Sequence, residues 1–137
     1  MWFKWYASAL LFLVSVNASA SPVLTGTLIL NGKTSAIKVA PEGAGDYAGG
    51  TIQVGGDVYK ISSASDEQFA GSKTLNDDVV SSVMILRTQK YIDWVKANLS
   101  QLPLGNVKEV LCDPSANAFV VVTDQSGASN GNCTRLN

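Results

Sequence analysis

The chain has 137 residues, with 10 Lys and Arg against 11 Asp and Glu, no histidine and two cysteines. A formal net charge of −1 leaves no cluster of cations for a phosphate backbone, so nucleic acid is not an expected partner. The lack of histidine removes the commonest general base and every Ser-His or Cys-His nucleophile scheme.

Residues 1–20 read as a secretory signal. Lys4 supplies a short positive region, residues 7–16 are an apolar run, and Ala18-Ser19-Ala20 places small residues at a cleavage position. The run is shorter than the about 20 apolar residues a spanning helix needs. No second run of that length follows, so no membrane span is expected after cleavage. Loss of Lys4 leaves the charge balance weak, and no basic patch faces an anionic membrane. Residues 21–137 then suit a single secreted globular domain, extracellular or, in a bacterium, periplasmic.

Residues 23–63 predict two hairpins. The first turns at Asn31-Gly32, a dipeptide suited to a tight turn with positive φ at both positions. The second turns around Gly55-Gly56-Asp57. The two units echo each other, from Gly26 to Lys33 and from Gly50 to Asp57, but two copies do not make a solenoid. Between them Gly43, Gly45 and Ala48 satisfy G-x-G-x-x-[GA]. A dinucleotide loop needs a helix N-terminus after it, whereas a strand pattern follows here, so no cofactor is expected. Residues 63–77 are polar and read as a connecting loop, with Phe69 and Leu75 as anchors. Asn76, Asp77 and Asp78 suit the start of a helix.

Residues 78–101 carry the long helical periodicity of the chain. At about 100° per residue, Val80, Met84, Tyr91 and Val95 align, with Ile85, Ile92 and Leu99 on one flank and Val83 and Trp94 on the other. The expectation is one helix whose ridge of Tyr91, Trp94, Val95 and Leu99 forms the core, each large side chain contributing about 1.5–3 kcal/mol on burial. Val79 and Leu86 break the pattern. The alternative is a strand to Leu86 and a shorter helix from Thr88, because residues 79–86 are rich in β-branched types. Arg87 and Asn98 are polar positions inside the apolar arc. The segment 87–99 resembles the C-terminal helix of trypsin-like serine proteases, through Tyr91, Trp94 and Val95 over about a dozen residues. That resemblance implies a helix and no catalysis: the chain has neither a histidine nor a G-D-S-G-G loop.

The remainder reads as a third hairpin, residues 107–112 and 118–123, with Phe119, Val121 and Thr123 on one face and Val120 and Val122 on the other. Apolar residues on both faces suggest a covered strand. Residues 124–132 read as a polar flexible loop without calcium-loop spacing. In an exported chain, Cys112 and Cys133 suggest one disulfide, and without histidine or a C-x-x-C pair no metal is expected. Two N-x-[ST] sequons, at Asn98 and Asn132, are possible glycosylation sites in a eukaryote, Asn132 the better because it is expected on a loop.

The resulting fold expectation is α+β: an antiparallel sheet of about six strands, ββββ-α-ββ, packed on one long helix. A β-sandwich or barrel with one peripheral helix is the alternative. No catalytic, cofactor-binding or metal-binding residues stand out. The expected function is that of a small exported binding or interaction protein whose partner is another protein or a surface ligand. The alternatives are a His-independent hydrolase using Asp and Glu, and a structural subunit of a surface or envelope assembly.

Overall fold

Turn chemistry sets the first half of the fold. Strand β1, Leu24–Leu30, and strand β2, Lys33–Pro41, pair antiparallel across Asn31-Gly32, whose φ values of 51° and 78° close a two-residue turn. Strand β3, Gly50–Val54, and strand β4, Asp57–Ala64, form the second hairpin across Gly55-Gly56, with Gly55 at φ 59°. The computed structural model describes residues 22–43, 49–98 and 107–137. The expected leader, residues 1–20, and Leu99 of the expected ridge lie outside them.

The expected long helix is overturned. Residues 68–86 form a third hairpin, strand β5 at Gln68–Leu75 and strand β6 at Asp78–Leu86. Asn76 and Asp77, read as a helix start, are instead its two turn residues, both left-handed at φ 53° and 66°. A nine-residue helix, α1 at Gln89–Ala97, follows. The physical reason lies in β6: Val83 and Ile85 are buried while Met84 between them is exposed, a period of two rather than 3.6. Its β-branched residues favour the extended backbone. Residues 63–77, expected as a loop, contain β5 because Phe69 and Gly71 enter the interior beside Ile85 and Val83.

The last three strands are also rearranged. Strand β7, Val107–Cys112, does not pair with strand β8, Ala118–Asp124; strand β9, Ser129–Thr134, lies between them, antiparallel to β8 and parallel to β7. Most of the expected loop 124–132 is therefore strand or tight turn. Asp124 Oδ1 organises that turn by accepting hydrogen bonds from the Ser126 and Ala128 amides.

The strand order is β1-β2-β3-β4-β5-β6-β8-β9-β7, a nearly closed, mixed, barrel-like sheet. It is not a sheet packed on a long helix; it lies nearer to a barrel with a peripheral helix, with more strands than expected and a parallel pair. Inward residues alternate along the strands: Leu24 and Leu28, Ile37 and Val39, Ile52 and Val54, Tyr59 and Ile61, Val83 and Ile85, Ala118 and Val120. A bulge between Ile61 and Ser63 shifts the parity of β4, so that Ala64 points inward.

Side chains make the closure. Asn132 Oδ1 accepts the Ile29 amide proton at 3.0 Å, and Thr134 Oγ1 donates to the Thr27 carbonyl at 2.6 Å. Thr25 and Asn137 then exchange both backbone hydrogen bonds at 2.9 Å. Gly26 permits this approach, since a Cβ there would overlap the Arg135 carbonyl oxygen.

A second, smaller core lies outside the barrel. Ile92 and Val95 of α1 are fully buried against Phe119, Ala116 and Cys133. Trp94, expected in the core, is 48% exposed; Tyr91 is half-buried. The short helix presents the Ile92–Val95 edge to β8, and Trp94 turns toward solvent. Val95 alone of the expected ridge is a fully buried residue among those described.

Candidate functional site

The outward face of β4, β5, β6 and β8 carries small residues beside large ones. Ser62, Ala70, Ser72 and Ser82 form a low floor, and Met84 and Val121 rise next to it. Strand alternation puts them there: each neighbours an inward core residue in sequence, such as Ile61, Gly71, Val83 or Val120. Helix α1 covers one end of this face and leaves a groove of about 480 Å³ that, among the described residues, no charged side chain lines.

Tyr91 and Phe119 form an aromatic wall of the groove, and Trp94 lies behind Tyr91. Tyr91 meets Phe119 edge-on, with centroids 6.3 Å apart and planes at 75°. Trp94 stacks on Tyr91 at 6.1 Å and 22°. The three rings run from the buried core to solvent. Lys96 fastens the helix by donating to the Pro114 and Ala116 carbonyls at 3.1 and 3.3 Å. Asn98 Nδ2 donates to the Trp94 carbonyl at 2.8 Å, which fixes the last turn beneath the tryptophan. Met84 is 43% exposed on the same face.

The expected disulfide is present. Cys112 and Cys133 are direct partners in the β7–β9 register, at a sequence separation of 21. The bridge ties β7 to the strand that carries the closing side chains and adds Cys133 to the core beneath α1.

The sequon residues lie apart. Asn132 sits in strand β9, not on a loop, and is 4% exposed; its Nδ2 is buried without a hydrogen-bond partner among the described residues. Asn98 ends α1, with its amide group engaged. Of the G-x-G-x-x-[GA] residues, Gly43 is described and lies at one end of the barrel; Gly45 and Ala48 fall outside the described residues. Strand β3 rather than a helix follows that segment.

Asp57, Lys73 and Asp124 line one open pocket on the outside of the sheet. Among the described residues no three His, Cys, Asp or Glu side chains gather as metal ligands. Lys73 and Asp57 form an exposed ion pair that raises the lysine pKa, chiefly through the hydrogen bond to Asp57 and then through its charge. The Asp113 carboxylate accepts the Ser115 amide at 2.9 Å and the Ser115 hydroxyl at 3.0 Å; these bonds, the amide foremost, hold its pKa below 3.8.

Sequence reasoning missed Met84 as a surface residue and placed Trp94 inside. The available signal was the β-branched enrichment of residues 79–86; the alternation of burial at Val83, Met84 and Ile85 is not visible in three successive apolar residues. No family model matches the chain, and neither a curated protein nor a solved structure matches it. Among the described residues no helix is long and apolar enough to cross a membrane.

Proposed function

We propose that this is an exported interaction protein that engages a neutral, apolar segment of another protein in the groove beside α1. The observation that carries this reading is the groove lined by the exposed Met84, with the exposed Trp94 stacked on its lining residue Tyr91. Large apolar side chains clustered on a surface mark contact sites, and aromatic residues are enriched at such contacts. Export rests on the leader-like residues 1–20, with which the disulfide is compatible. Asp57 and Asp124 line one pocket, but Lys73 pairs with the first and the Ser126 and Ala128 amides donate to the second, which disfavours the hydrolase alternative.

The test is affinity capture from the native surroundings with the wild-type chain and with Trp94→Ala and Ser62→Arg. Both variants are expected to keep the wild-type circular dichroism spectrum and to recover a specific partner at least ~10-fold less well, as loss of a contact anchor implies. Equal recovery by the folded variants, or turnover of a hydrolase substrate by the wild-type protein, would overturn the reading.

A further inference from the structure

A separate cleft of about 470 Å³ opens at the barrel end where β1 begins and β2, β4 and β6 finish. Its floor belongs to the interior core: Leu24, Ala64 and Phe69 are 8%, 3% and 5% exposed and line the cleft from below. Pro22 and Pro41 add apolar walls. Arg87, just past the end of β6, stands at the rim with its guanidinium carbon 6.0 Å from the Phe69 ring centroid. Its backbone amide is held by the Glu67 carbonyl at 2.7 Å. Its side-chain Nε is buried and meets no hydrogen-bond acceptor among the described residues. A buried charged donor left unmet is costly, and an anion is the group that relieves it.

We propose that this mouth binds a small monocarboxylate with an apolar body, the carboxylate on Arg87 and the body on Leu24, Ala64 and Phe69. The volume falls in the range of small-molecule sites. A planar guanidinium matches a carboxylate with parallel hydrogen bonds. The other charged side chain lining the cleft is Asp66, and Glu67 follows it on the same exposed turn. With one cation and one carboxylate in the lining, phosphate dianions and polyanions are disfavoured, and a monoanion is held by its direct hydrogen bonds to the guanidinium rather than by a net positive field. The apolar floor rejects a ligand that is polar throughout. Ser65 adds little selectivity, because its hydroxyl oxygen already accepts from the Glu67 and Gln68 amides at 3.4 and 3.1 Å.

The competing account is an arginine that merely lies along an aromatic ring and extends to water. Titration of the full chain with sodium octanoate, followed by nuclear magnetic resonance, separates the two. Saturable shifts are expected for Leu24, Ala64, Phe69 and the Arg87 Hε signal. Octylamine and inorganic phosphate should leave these signals unmoved. Arg87→Met keeps the stem and removes the charge, so octanoate affinity should fall roughly 10- to 100-fold, as loss of a charge-assisted hydrogen bond implies. The ligand-free variant should melt no lower than wild type. The Arg87 Hε shift in the wild-type protein keeps the test decisive if the variant fails to fold. Absence of saturable octanoate shifts, unchanged affinity in folded Arg87→Met, or tighter binding of octylamine would overturn the proposal.

Discussion

Strand β8 faces two different environments, and the contrast between them organises the molecule. Its inward residues Ala118 and Val120 sit in a barrel interior that every strand from β1 to β6 supplies. Its outward Phe119 and Val121 meet a nine-residue helix that covers part of the face. The interior is closed by long-range bonds, Asn132 to Ile29 and Thr134 to Thr27, across 103 and 107 residues of sequence. The exterior ends in side chains that water still reaches, Trp94 and Met84. Burial completed on one side of the sheet supplies stability, whereas on the other side it is left incomplete, which is where the proposed interaction surface lies.

Substitutions on the two sides should therefore differ, and the largest effect belongs inside. Ile85 is fully buried. Ile85→Ala should lose about 2–5 kcal/mol in urea unfolding, from lost transfer energy and the cavity left behind. A loss below about 1 kcal/mol would show that the interior repacks freely and would weaken the contrast.

Removing the disulfide sits between the two regions. The double change Cys112→Ala, Cys133→Ala should cost about 3 kcal/mol on loop-closure arguments. Hydrogen exchange should rise first in β7 and α1, because the bridge joins β7 to β9 and Cys133 packs under α1. Uniform acceleration through β2 and β3 would instead make the bridge a staple for the whole barrel.

Trp94→Ala should be milder. A side chain 48% exposed has already retained much of its contact with water, so the expected loss is about 1 kcal/mol or less. An effect as large as that of Ile85→Ala would return Trp94 to the core.

The smallest effect concerns pH at the turn after β7. The Asp113 carboxyl has its pKa lowered below 3.8 by the Ser115 amide and hydroxyl. A lowered folded-state pKa means that its stabilisation is fully present above the ordinary aspartate range and is lost as pH falls through the lower folded value. The group is exposed, so the contribution is slight. A carboxyl resonance titrating above 3.8 would contradict the geometry at Ser115.

Several features were legible in the sequence because they are local. Asn31-Gly32 and Gly55-Gly56 turn where their conformational freedom allows it, and β8 shows apolar residues on both faces because both are covered. The Cys112–Cys133 pair followed from the cysteine count in a chain with a leader-like start. Asn76-Asp77 misled because residues that cap helices also tolerate the left-handed turn conformation. Arg87 was visible as a polar position within an apolar arc; that it shares a cleft with Leu24 and Phe69 was not, since three separated segments meet there.

The sequence by itself determined the turns at Asn31-Gly32 and Gly55-Gly56, the strands that flank them and the cysteine pair, all of which depend on neighbours a few residues apart or on composition. The tertiary structure decided for strand over helix at residues 78–86, where the sequence offered both, and it alone decided that β9 inserts between β7 and β8 and that Trp94 faces water. Each depends on which surface is available to cover a given side chain. Asn132 makes the point: its polar character suggested a loop, yet its oxygen holds the Ile29 amide and closes the barrel. A buried backbone group needs a partner, and only the folded chain specifies which residue provides it.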